Sequence, residues 1–341
     1  MRGWVVCAWV WIVALPAAQA WAQQTHLLVV TGLGGEPAYT TQFHEWATTL
    51  VNAATTRYDV PPANLTYLGE QPSLDPERIA DRSSRENIEA AIDAIAERAD
   101  PGDHVVIVLF GHGSATDVAR VNLPGRDLSA DDFAHLVERL DVQHVTFVNT
   151  ASASGPFVEK LSGEGRVVMT ATRTGGERNA SVFGGYFVEA FADGQDAADQ
   201  NKDGRVSMLE AFTYARLRVA ESYEADGRLA TEHALLDDNG DGSGTGEPDP
   251  FGGDGTVART LFFTAGTGLR ADTAFPDDPE LRALYEERQA LEKRVDELRR
   301  LRDGTAPEQY EQELERVLVE LALKSREIRR QEAARQDPGS P

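Results

Sequence analysis

Two short β-branched runs, each ending in a residue able to carry chemistry, constrain this chain more than anything else in it. His104–Phe110 (HVVIVLF) runs straight into Gly111-His112-Gly113, and His144–Asn149 (HVTFVN) runs into Thr150-Ala151-Ser152-Ala153-Ser154-Gly155. Continuous apolar runs of this length, bounded by turn residues, read as strands of a parallel sheet covered on both faces. Between them Ser129 caps an amphipathic helix, with Asp132 three residues on and Phe133, Leu136, Val137 and Leu140 as its core face. In parallel sheets chemistry gathers outside the carboxyl ends of the strands. His112 and Ser152 therefore stand side by side as a candidate base and a candidate nucleophile. The plain alternative is that both are turn residues at strand ends.

The same punctuation continues on either side. His26–Thr31 (HLLVVT) reads as a first buried strand, followed by Gly32-Leu33-Gly34-Gly35. Pro37 stands where a dinucleotide fingerprint needs another glycine, so that reading is rejected. Helical spacing follows over Gln42–Ala54, and Leu65–Leu68 is a short strand. Ser83 or Ser84 caps a helix over Asn87–Ala99, with Ile88, Ala91, Ile92 and Ile95 in one stripe. Beyond Ser152 come a short helix (Phe157–Leu161), a strand (Arg166–Thr172) and a late edge strand at Val257–Phe263. Strands alternating with helices predict an α/β fold with a mainly parallel, doubly wound sheet.

An apolar strand into His-Gly followed by an apolar strand into Ala-x-x-Ser-Gly, with Ser152 40 residues after His112, resembles the legumain-like and caspase-like cysteine peptidases. The resemblance runs from about His26 to Phe263 and implies a three-layer caspase-like sandwich. It carries His112 over as catalytic base and Gly113 as oxyanion-hole backbone, and it puts Ser152 at the position of the catalytic cysteine. A thiol of pKa near 8.5 is readily ionised by a neighbouring imidazole. A hydroxyl needs an aligned base and an orienting third group. Asp117 is the nearest downstream acid for that role. Legumain-like enzymes follow the nucleophile with Glu and read Asn partly through an Arg after the first strand. Here Ala153 follows, and no Arg occurs between Thr25 and Val51, so Asn-specific cleavage is not supported. The segment Ala171–Arg178 lies where a pocket wall belongs. Its Arg173 and Glu177, with Ala153, are the candidate substrate-binding residues, and Arg178 stands beside them. His233 reads as structural.

Asp199-Gln200-Asn201-Lys202-Asp203-Gly204-Arg205-Val206-Ser207-Met208-Leu209-Glu210 matches the EF-hand-like pattern at every specified position. Oxygens of Asp199, Asn201 and Asp203, the Arg205 carbonyl, Ser207 through water and bidentate Glu210 would surround Ca²⁺. Gly204 allows the sharp turn. Phe183–Phe191 and Leu209–Tyr223 read as its flanking helices. Asp237-Asp238-Asn239-Gly240-Asp241-Gly242 begins a similar loop but has Pro248 where the Glu belongs, leaving a weak cation site and an acidic turn as equal readings. No organic cofactor is expected.

Residues 1–22 read as a signal peptide, with Arg2, the apolar stretch Trp4–Leu15 and the cleavage pattern Ala18-Gln19-Ala20. They predict export to a periplasmic or extracellular space, with no stable membrane insertion after cleavage. The single cysteine, Cys7, lies within that leader. A mature chain without thiols excludes disulfides, thiolate metal sites and cysteine catalysis. The formal charge of −23 argues against nucleic acid as a partner. The predicted organisation is an α/β domain at 23–264, a linker at 265–278, a helical hairpin or coiled coil at 279–335 and a disordered tail at 336–341. In the hairpin, Leu281, Leu284, Leu291, Val295 and Leu298 keep a 3-4 spacing interrupted by Arg288. Tyr310, Leu314, Val317, Leu321 and Ile328 repeat it. The hairpin serves either its own domain or a homo-oligomer.

The leading functional expectation is a catalytically silent pseudopeptidase that binds a peptide or protein ligand and is stabilised by calcium. The alternatives are an active serine-type hydrolase using Ser152 and His112, and a structural or oligomerisation protein acting through the C-terminal helices.

Overall fold

The computed structural model describes residues 23–140, 143–201, 204–250, 252–263, 278–300 and 307–336. The leader with Cys7, residue Asp203, nearly all of the linker and the last five residues of the tail lie outside the described residues. In chain order the first half comprises β1 (Thr25–Thr31), α1 (Pro37–Thr56), β2 (Leu65–Gly69), β3 (Asp81–Arg82), α2 (Arg85–Arg98), β4 (His104–Phe110), β5 (Gly113–Ala115), β6 (Ala119–Val121), β7 (Leu128–Ser129) and α3 (Ala130–Val137). The second half comprises β8 (His144–Asn149), α4 (Phe157–Leu161), β9 (Arg166–Thr170), α5 (Phe183–Phe191), α6 (Gln195–Ala198), α7 (Met208–Ala225), β10 (Leu235–Asp237), α8 (Pro279–Arg300) and α9 (Pro307–Gln336).

The main sheet has the order β10-β9-β8-β4-β1-β2-β3. All its pairings are parallel except β10 on β9. Because side chains alternate along a strand, each strand feeds two cores. Leu27, Val29, Val106, Val108, Phe110 and Met169 pack against α1, α5 and α7 on one face. Leu28, Val30, Val105, Ile107, Leu109 and Phe147 pack against α2, α3 and α4 on the other. The result is the expected three-layer α/β sandwich with a mainly parallel sheet. The C-terminal hairpin is also present: Val295 and Leu298 of α8 meet Val317 and Leu321 of α9, and Leu281 and Leu284 meet Ile328.

Caps explain several boundaries. Ser84, rather than Ser83, accepts the Asn87 N–H and starts α2. Ser129 and Asp132 form a reciprocal capping box on α3. One expectation is overturned: Val257–Phe263 is not a strand. Ala258–Thr260 is a short 3₁₀ turn, and the edge strand is β10. The carboxylate of Asp238 accepts the N–H groups of Gly255, Val257 and Ala258, which curls this segment away from the sheet edge. A second small sheet, β5-β6-β7, had no sequence signal strong enough to register, since its strands hold two or three residues each.

Candidate active-site cleft and cation loop

Parallel register brings the candidate residues to one edge. Leu109 pairs with Asn149 and Asn149 with Thr170, so β4, β8 and β9 end level. The loops continue the zipper: Thr150 N–H donates to the Leu109 carbonyl at 3.0 Å, and Ala171 N–H to that of Asn149 at 3.0 Å. His112, Ser152 and Arg173 thus leave neighbouring strands in the same direction.

The Ser152 hydroxyl is held by the backbone of Gly113. It accepts the Gly113 N–H at 3.2 Å and donates to the Gly113 carbonyl at 3.2 Å. Ser152 is only 3% exposed. The approach requires glycine at 113: a Cβ there would lie 2.3 Å from the Ser152 carbonyl oxygen and 2.9 Å from that of Arg120. Ala153 sits at φ +56°, a left-handed conformation that costs an L-residue roughly 1–2 kcal/mol. Its N–H donates to the Glu177 carbonyl at 2.8 Å, which secures the turn.

His112 is half-buried against two aromatic residues of α1. Its ring makes edge contacts with Tyr39 (centroids 4.6 Å apart) and Phe43 (5.2 Å). Burial pushes the imidazole pKa down, and the Gly34 carbonyl and the Glu36 carboxylate offset this in part. No hydrogen bond joins His112 to Ser152 among the described residues. Asp117 does not orient His112; it pairs with Arg120 at 2.7 Å, which holds its carboxyl well below the usual range. Sequence spacing alone does not mark the residues that seat His112: Tyr39 and Phe43 lie four apart, one helical turn, on α1.

The candidate substrate residues do come together. Glu177 accepts the Arg173 N–H at 2.9 Å, and its other oxygen meets His233 Nδ1 at 2.7 Å. His233 thus ties its segment to Glu177, beside Arg173. Ser154 and Thr172 exchange hydrogen bonds across the same two loops, and Gly155 packs against the Arg173 carbonyl too tightly for a Cβ. The side chains of Arg173 and Arg178 are exposed and have no ion-pair partner among the described residues.

In the EF-hand-like segment, Gly204 has φ +83° and donates its N–H to Asp199 Oδ2 at 2.8 Å. Glu210 folds back over the loop start: one oxygen accepts the N–H groups of Gln200 and Asn201, the other the N–H and the hydroxyl of Ser207. The first and last ligand positions thus face the same turn, and the donor set is all oxygen, as a hard cation prefers. The Arg205 side chain lies over the Phe262 ring at 4.2 Å, leaving only its carbonyl for the loop interior. Among the described residues, which exclude Asp203, no three His, Cys, Asp or Glu side chains are arranged to hold a metal by themselves.

No family model matches the sequence, and no curated protein is similar to it. Among solved structures the chain is similar to the crystal structure of protein GSU0716 from Geobacter sulfurreducens. The identity is 13%, over 71% of this chain and 99% of that one, with a TM-score of 0.43.

Proposed function

We propose that the chain is an exported homologue of the legumain-like and caspase-like peptidases that has lost cleavage and uses the old cleft to bind a peptide or protein segment. The observation that carries this reading is the engagement of the Ser152 hydroxyl. A buried hydroxyl that gives its proton to the Gly113 carbonyl and takes the Gly113 N–H is not aligned with a base. The same N–H would otherwise serve as an oxyanion donor. The ligand is acidic, because the free guanidinium groups at the cleft wall, Arg173 and Arg178, stand out in a chain of formal charge −23. Calcium in the Asp199–Glu210 loop stabilises the domain.

A serine-directed fluorophosphonate probe and a set of fluorescein-labelled acidic peptides test this reading together. The expected result is no labelling at Ser152, with peptide binding weakened at least tenfold by Arg173→Glu. Stoichiometric labelling lost in Ser152→Ala would establish the serine hydrolase instead. Absence of both labelling and peptide binding would remove both readings of the cleft.

A second role, self-association through the hairpin, is favoured by one observation. Val319 and Leu323 of α9 are 52% and 50% exposed, one turn apart on a helix otherwise rich in charge.

A further inference from the structure

The loop after β10 carries an electrostatic problem that the cleft does not explain. Asp237 is fully buried, at 0% exposure. Its Oδ1 accepts from Ser162 Oγ at 3.2 Å and from Gly240 N–H at 3.2 Å. Its Oδ2 is buried with no hydrogen-bond partner among the described residues. Two more carboxylates share this interior: Asp238 is 5% exposed and Asp254 7%. Asp238 is consumed by three backbone N–H groups. Asp254 uses Oδ1 for the N–H groups of Asp238 and Asn239, and its second oxygen takes no hydrogen bond among the described residues. No Lys, Arg or His pairs with any of the three among the described residues. Taking a carboxylate out of water is strongly unfavourable unless a counter-charge accompanies it.

We propose that this loop is a second divalent-cation site, with Asp237 and Asp254 as its charged ligands and Ca²⁺ as the ion that suits it. The donors available are oxygens only, which selects a hard cation. No group of three acidic, His or Cys side chains holds a metal alone among the described residues, so carbonyl oxygens of the turn and water complete the shell. Calcium tolerates such mixed coordination better than Mg²⁺ does. The backbone is built for a tight turn: Gly240 and Gly242 sit at φ +79° and +77°, and Leu236 and Thr245 exchange two hydrogen bonds at its base. The site is separate from the Ser152 loops. Asp237 pairs with Val168 inside β9, whereas Ser152 and Arg173 lie beyond the strand ends at Asn149 and Thr170. The ion would tie the end of β10 to the 254–258 turn, which leads into Leu261 and Phe263 of the core. This inference does not depend on the Asp199–Glu210 loop or on the peptide reading.

Equilibrium dialysis of the full chain against millimolar CaCl₂ tests it, with Asp199→Asn/Glu210→Gln as the background lacking the first loop. The background is expected to bind one Ca²⁺, and Asp237→Asn added to it should weaken that binding at least tenfold. A folded background that binds none overturns the proposal, and if the parent binds one Ca²⁺ the first loop survives. A background that binds as many ions as the parent sinks the first loop instead. If Asp237→Asn binds like its background, or melts higher than the parent regardless of Ca²⁺, Asp237 holds no cation and the site is refuted. Should Asp237→Asn fail to fold, the stoichiometry of the background alone decides.

Discussion

At residue 152 the competition is between a backbone and a base for one hydroxyl. Gly113 offers both a donor and an acceptor at 3.2 Å, and His112 is turned into the aromatic edge of Tyr39 and Phe43. A thiol in the same place would be buried and without an imidazolium, both of which keep its pKa high. Ser152→Cys should therefore react with iodoacetamide more slowly than an exposed cysteine control, and His112→Ala should change its rate less than about twofold. A faster, His112-dependent reaction would show that base and nucleophile converge. His104 gives a second residue-scale prediction. Its Nδ1–H donates to the Phe262 carbonyl and its Nε2 accepts from Thr146 Oγ1, so the ring is neutral, and complete burial pushes its pKa down to about 4. A histidine with a lowered folded pKa contributes stability that is present above the unfolded value, near 6.5. That stability is lost as pH falls toward 4, on the order of 3 kcal/mol in all. Denaturant midpoints should drop over that window, and less so in His104→Gln. A flat profile from pH 6.5 to 4 would contradict the buried neutral ring.

The EF-hand-like loop is the element whose behaviour separates two roles of one side chain. Glu210 already caps α7 in a reciprocal box with Ser207, whether or not a cation is bound. Glu210→Ala would thus destabilise through the lost cap alone, by about 1 kcal/mol. The informative variant is Asp199→Asn with Glu210→Gln, which keeps hydrogen-bonding capacity and removes charge. At 10 mM Ca²⁺ and a Kd of roughly 10⁻⁴–10⁻³ M, linkage stabilises the parent by roughly 1.5–3 kcal/mol. The melting temperature should rise by several degrees in the parent, and this loop's share of the rise should vanish in the variant. Equal rises in both would show that the loop binds no calcium.

For the whole molecule, the question is what the hairpin's outer face meets. The inner seam, Val295 and Leu298 against Val317 and Leu321, is satisfied within the chain. Association through the hairpin would then use the exposed Val319 and Leu323. Val319→Glu with Leu323→Glu should leave far-ultraviolet circular dichroism and melting unchanged while converting a sedimenting dimer to monomer. Identical sedimentation of the two chains would remove the oligomer reading.

Much of this architecture is legible in the chain itself. Period-2 and period-3.6 apolar patterns select strands and helices, and level turn signals after Phe110 and Asn149 place His112 and Ser152 on one edge. The Ser129 capping box and the D-x-[DN]-x-[DN]-G spacing are local properties, set by neighbours a few residues away. Tertiary packing decided the rest. The Ser152 hydroxyl meets Gly113 because β4 and β8 align in register, and Glu177 finds His233 across 56 positions. The 258–260 turn forms in place of a strand because the Asp238 carboxylate gathers three distant N–H groups. No window of sequence contains such partners: a hydrogen bond's geometry depends on where the whole backbone brings its two ends.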